Sequence, residues 1–200
     1  MEMKNFFDFN SKMVLSNVFA PPIGLNIDDN LKLIKGDFTN IDFPMRFKQH
    51  FGKKLNDILD TEHPGFYLIS DRMRTILEAA KLTGWKTFPI VLYDKHWDEI
   101  PNYHGFSTTG KSGPISYDNC EIIEKRYVPN GPICKFYKGL FIDKWDGSDF
   151  FTPEGNYGTF ITKKAADVLR EHKISNLRLE NLADIETDVA GVLILKRRQK

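Results

Sequence analysis

The stretch Gly65 to Trp85, GFYLISDRMRTILEAAKLTGW, constrains this chain most, because it specifies a strand, a helix, a stop and a second strand in one run. Phe66, Tyr67, Leu68 and Ile69 form an aromatic and β-branched run that suits a buried strand. Ser70 can cap the free N–H groups of a helix start, and Asp71 suits the positive end of its dipole. Met73, Ile76, Leu77 and Ala80 then fall on one helical stripe, and Gly84 can take the left-handed conformation that ends it. The chain writes this unit twice, 92 positions apart. Ile69-Ser70 returns as Ile161-Thr162, and the stripe returns as Ala165, Val168, Leu169 and His172. Leu77, Lys81, Leu82 and Thr83 return as Leu169, Lys173, Ile174 and Ser175. Gly84 becomes Asn176, the other residue type that tolerates positive φ. The echo records either a shared structure or the convergence of two short strand-helix-strand units. Both readings predict helices over 70–81 and 162–173, with His172 half-buried on the second stripe.

The remaining segments are read from their punctuation. Met13-Val14-Leu15 and Leu31-Lys32-Leu33-Ile34 are strand candidates, separated by Pro21-Pro22 and Asp28-Asp29-Asn30. Phe47, Phe51, Leu55, Ile58 and Leu59 recur at helical spacing, interrupted by Gly52. Residues 1–62 therefore read as a β-rich portion with one helix, and 63–200 as an α+β core; a single domain over 1–200 is the other division. Phe88, Ile90 and Leu92 alternate as a strand that Pro89 places at an edge or bulge. Residues 94–118 carry many Gly and Pro and no apolar period, which predicts a long, functional loop. Strands follow at Glu121–Val128 and Cys134–Ile142, then a loop from Asp143 to Pro153, and a last strand at Val192–Leu195. The fold class is α+β, with a mixed sheet and two similar strand-helix-strand units.

Charge and composition narrow the function classes. A net charge of +1 argues against a dedicated nucleic-acid binder, and the basic tail Lys196–Lys200 reads as solvated. No stretch reaches a membrane-spanning length, and the N-terminus lacks a signal-peptide h-region, so the expected location is the cytoplasm. Cys120 and Cys134 lack metal-knuckle spacing and read as structural thiols.

Gly105-Phe-Ser-Thr-Thr-Gly110-Lys111-Ser112 spells the phosphate-loop pattern. Its context disagrees, because Gly113-Pro114 prevents the helix whose N-terminus would hold phosphate. Asp143, Asp146 and Asp149 are spaced three apart, not on the alternate residues of a calcium loop. His96 and His104 share a loop with Asp94, Asp98 and Glu99, but no histidine pair has the helical spacing that would aim both at one ion. No catalytic residue, metal or cofactor is expected.

Three ordered segments, ISDRMRTILEAAKLTGW, YHGFSTTGKSGP and GLFIDKWDGSDFF, resemble bacterial proteins grouped with the polymorphic-toxin immunity proteins. The double-CXXCG immunity proteins are the nearest named relatives, although their paired Cys-x-x-Cys-Gly motifs are absent from this sequence. The resemblance spans about residues 55–182. It implies a cytoplasmic protein that binds and neutralises a cognate toxin without chemistry of its own. The alternatives are a nucleotide-binding or hydrolytic enzyme using loop 102–113, with Lys111 as its key residue, and a structural or regulatory adaptor. For the partner surface, Trp145, Asp146, Asp149 and Phe150 form one expected lip, and Tyr103, Phe106 and Lys111 the other. Rings supply anchors and carboxylates steer a basic partner. The competing arrangement folds Trp145, Phe150 and Phe151 inward, and Trp97 is divided between the same two fates.

Overall fold

The computed structural model describes residues 3–63 and 65–192. After a 3-10 turn at Met3–Asn5, the chain forms β1 (Phe6–Ser11), α1 (Ile27–Ile34), β2 (Met45–Lys48) and β3 (Ile58–Asp60). The first unit follows as β4 (Tyr67–Ser70), α2 (Asp71–Ala79) and β5 (Trp85–Phe88). Next come β6 (Ile90–Tyr93), β7 (Tyr103–Thr108), β8 (Gly110–Ser112), β9 (Glu121–Arg126), β10 (Ile133–Lys138) and β11 (Phe150–Pro153). The second unit is β12 (Thr159–Thr162), α3 (Lys163–Glu171) and β13 (Leu177–Asn181), followed by β14 (Glu186–Asp188). The fold is α+β, and the five-stranded sheet β13-β1-β12-β11-β8 is mixed, with β8 and β11 parallel. A four-stranded sheet, β3-β4-β7-β5, is the second scaffold, and β14-β10-β9 and β2-β6 complete the set.

Strand alternation sorts the side chains into three cores. Ile58, Tyr67, Ile69 and Phe106 of one large sheet meet Phe7, Phe9, Phe150 and Ile161 of the other, together with the apolar stripes of α2 and α3. On the far face of the four-stranded sheet, Leu59, Leu68 and Phe88 pack on Leu33 and Ile34 of α1 and on Phe47. On the far face of the five-stranded sheet, Phe6, Phe151 and Phe160 pack on Leu140, Ile142 and Leu182. Each fully buried phenylalanine contributes roughly 1.5–3 kcal/mol by leaving water.

The echo in the sequence extends through the whole scaffold. Ser70 caps α2 through the Met73 amide and Thr162 caps α3 through the Ala165 amide. Lys81 and Gly84, and their counterparts Lys173 and Asn176, all take positive φ. The β3–β4 pairing of Ile58 with Ile69 and Leu59 with Leu68 recurs as Phe150 with Ile161 and Phe151 with Phe160. Two buried aspartates, Asp57 and Asp149, then tie the units together reciprocally. Asp57 accepts hydrogen bonds from the Ser175 amide (2.9 Å) and hydroxyl (2.9 Å) of the second unit, and from Ser70 and Arg72 of its own. Asp149 accepts from the Thr83 amide (3.0 Å) and hydroxyl (3.3 Å) of the first unit, and from Thr162 and Lys164 of its own. All four residue pairs are 92 positions apart. The symmetry is completed by strands exchanged in order: β1, from the N-terminus, lies between β12 and β13 as β7 lies between β4 and β5.

Several expectations are corrected. Residues 47–59 are not helical: Met45 and Phe47 point into a core with period two on β2, and Ile58 and Leu59 belong to β3. Residues 31–34, expected as a strand, end α1, whose start is capped by Asn26 accepting from the Asp29 amide. Within the expected loop 94–118, Tyr103–Thr108 and Gly110–Ser112 are strands, because β7 finds partners on both edges and β8 pairs with β11. Phe150–Pro153 leaves the expected loop to form β11. Pro89 divides β5 from β6, which departs to pair with β2. His172 is exposed at the end of α3. Of the strand expected at 192–195, only Val192 is described, and it lies in a helical turn; the rest and the basic tail fall outside the described residues. No helix among the described residues is long and apolar enough to cross a membrane.

Candidate functional site

The residues expected to form a partner surface do not share one. Phe106 and Phe150 are fully buried, with ring centroids 5.6 Å apart in the central core. Asp149 is buried in its tie to Thr83 and Thr162. Trp145 folds back onto Phe6 (5.2 Å, edge to face) and Phe151, and its indole N–H donates to the Ser148 carbonyl at 2.9 Å. Tyr103 is half-buried and donates its hydroxyl to the Asn56 carbonyl at 2.8 Å. Only Lys111 and Asp146 are exposed, side by side, with the Asp146 carboxylate accepting from the Lys111 amide at 2.7 Å. The inward arrangement of the rings is the one found. It leaves a single exposed carboxylate of the two proposed to steer a partner. Trp97 stays outside the cores: it is 57% exposed, with the Lys48 ammonium 3.7 Å above its ring.

The internal symmetry points to a different surface, which sequence reasoning missed. In one half, β7 continues through Thr109 directly into β8, where Lys111 pairs in parallel with Thr152 at the sheet edge. In the other half, β1 continues through Lys12, whose amide bonds the Asn176 carbonyl as the Thr109 amide bonds that of Gly84. The counterpart of Thr152 is Asp60, and the counterpart of Lys111 is Val14. Asp60 nevertheless pairs in parallel with Phe19, not with Val14. The extra residues are therefore extruded from the sheet. They carry Met13, Val14 and Leu15 into solvent, Met13 90% and Leu15 84% exposed.

The backbone under this loop is fixed. Val18 donates to the Lys54 carbonyl, and Lys53 and Lys54 donate to that of Ser16, all within 3.0 Å. Asn17 Nδ2 donates to Asn176 Oδ1 at 2.7 Å. Phe19 stacks on Phe51 at 4.8 Å, flooring a recess of about 210 Å³ beside Met13, Val14 and Leu15. Leu55 and Phe51 extend the apolar surface, Asp60 lines the recess, and Lys12, Lys53 and Lys54 are exposed along the same two segments. Rigid backbone beneath outward apolar side chains is the geometry of a preformed docking patch.

Gly52 lets the two segments meet: its φ is +77°, and a Cβ there would lie 1.8 Å from the Asn17 carbonyl oxygen. Gly52→Ala is expected to cost about 1–3 kcal/mol, since the strain and the collision act together. Urea unfolding reads that loss, and hydrogen exchange would show 12–17 released first.

Other constellations are less suited to function. The phosphate-loop spelling lies in β7 and β8, and no helix starts at Ser112, so the loop does not lead into a helix N-terminus that could hold a phosphate. Gly105 is glycine because the Phe88 ring lies 2.0 Å from where its Cβ would be. His104 Nε2 lies 2.5 Å from Asp71 Oδ1 and ties β7 to the first turn of α2. Among the described residues, no three His, Cys, Asp or Glu side chains converge as a metal site. The β9–β10 hairpin exposes Ile122, Tyr127 and Ile133, but Lys125 and Lys135 are engaged, Lys125 with Glu186 of β14 and Lys135 with Glu124 across the hairpin. Neither the family models nor the curated proteins compared with this chain match it.

Proposed function

We propose that this chain is a non-catalytic, cytoplasmic protein that binds another protein through the loop 12–17 surface, and that the partner is a toxin which the binding neutralises. The observation that carries the binding reading is the extruded, backbone-fixed apolar loop with Met13 and Leu15 in solvent. The immunity reading rests on the resemblance of the three ordered segments, all of which supply scaffold: α2 with its cap, β7 with β8, and β11 with its Asp149 tie. The exposed Lys12, Lys53 and Lys54 on the flanking segments favour a partner that is acidic around an apolar anchor. Such binding weakens with salt.

The test begins with capture of partners by the tagged chain and identification by mass spectrometry. Expressing the captured partner alone should arrest growth, and co-expression with the wild-type chain should restore it. Met13→Asp/Leu15→Asp should fold with unchanged stability, lose at least about thirtyfold in affinity, as expected for a hot spot of roughly 2 kcal/mol, and fail to rescue growth. A captured protein that is harmless when expressed alone rejects the toxin reading. Unchanged affinity in the folded double variant rejects the surface.

A further inference from the structure

We infer that the hollow between β8, β11 and the end of α1 is a binding site for a small zwitterion, a free α-amino acid or a dipeptide. The hollow has a volume of about 450 Å³, within the usual range of ligand clefts. Thr152 lines it, is only 7% exposed, and its hydroxyl has no hydrogen-bond partner. Buried hydroxyls without a partner are uncommon, and each calls for one. The internal symmetry sharpens the point. At the equivalent position of the other half, the Asp60 carboxylate is satisfied by the Ser11 hydroxyl and by Asn176. The counterpart of Ser11 is Thr108, and its hydroxyl is engaged with Thr159 at 2.8 Å. The fold thus supplies a partner at one site and leaves the other to a ligand.

Charge selects the class of ligand. Two lysines, Lys35 and Lys111, and two acidic residues, Asp37 and Glu154, are among the residues that line it. None of the four is in an ion pair among the described residues; Lys35 lies over the Tyr157 ring at 5.2 Å. A bare anion such as phosphate would meet two carboxylates, and a bare cation two ammonium groups. A molecule with one carboxylate and one ammonium satisfies both signs, and rotation of the Thr152 side chain would present its sealed hydroxyl to either end. The site lies apart from loop 12–17 and does not depend on the toxin reading.

Titration of the full chain, followed by NMR, tests this with glycylglycine and L-glutamine as zwitterionic probes. N-acetylglycine, glycinamide and inorganic phosphate are the controls. At least one zwitterion should saturate with Kd near or below about 1 mM, roughly −4 kcal/mol, with shifts at Gly110–Ser112 and Thr152–Gly155. The single-charge controls should bind at least about tenfold more weakly, the scale of one charged hydrogen bond. Thr152→Val should weaken the zwitterion about tenfold while thermal stability holds or rises, since an isosteric apolar group relieves the unpartnered hydroxyl. Lys111→Met should weaken it without unfolding the chain. Absence of saturation by both zwitterions, tighter binding of phosphate, or unchanged affinity in Thr152→Val would each overturn the assignment.

Discussion

Asp57→Ala is expected to remove about 2–4 kcal/mol of stability, because the Ser175 amide and hydroxyl lose a buried acceptor at about 1–3 kcal/mol each. That is a large share of the roughly 5–15 kcal/mol that holds a domain together. The carboxylate gathers the Ser175 amide and hydroxyl, the Ser70 cap and Arg72, so its loss strands donors in both units at once. Urea unfolding at neutral pH measures it. Acid adds an independent check. Burial alone would raise the Asp57 carboxyl, but hydrogen bonds from Ser175, Ser70 and Arg72 outweigh it and hold the group below its ordinary value of 3.8. A carboxyl lowered by folding stabilises the protein at pH above 3.8 and loses that contribution as pH falls through the range below it. The wild-type unfolding midpoint should therefore drop on acidification through that range, and Asp57→Asn should show a shallower acid limb.

Phe150→Ala should cost about 3–5 kcal/mol, the usual range for deleting a core phenyl ring. The ring sits 5.8 Å from Phe9 and 5.6 Å from Phe106, where strands of both large sheets meet. A partner anchor would behave in the opposite way, with stability kept and affinity lost. Thermal unfolding beside a binding assay on the folded fraction separates the two. The expected result is a lower melting temperature and unchanged affinity.

These contrasts show which parts of the molecule its sequence makes legible. The two strand-helix units were readable because cap, stripe and stop are contiguous: Ser70, Met73, Leu77 and Gly84 act within one short segment, as do Thr162, Ala165, Leu169 and Asn176. The aspartate ties carried a signal that went unread, since the 92-position echo continues upstream to Asp57-Ile58-Leu59 and Asp149-Phe150-Phe151. α1 carried one too, in the Asn26 cap and the acidic first turn of Asp28 and Asp29, behind a Leu-Lys-Leu-Ile run that imitates a strand. β7 was illegible for a physical reason. Its Tyr-His-Gly-Phe-Ser-Thr sequence is strand only because β4 and β5 bond both its edges, and its Gly105 answers to Phe88 from another strand. The extrusion of loop 12–17 is likewise non-local. It follows from Asp60 pairing with Phe19, and the apolar run of Met13 to Leu15 reads equally well as a buried strand.

Hydrogen exchange on the chain alone and in complex with the captured partner tests the central claim most directly. The free chain should exchange rapidly at 13–16, where the loop leaves the sheet, and more slowly at 18–20, where it rejoins through the Lys54, Phe51 and Asp60 carbonyls. On binding, protection should appear at 13–16 and 50–55 and nowhere else of comparable size. Protection centred on 121–138 or on 144–149, with 13–16 still exchanging as in the free chain, would contradict it.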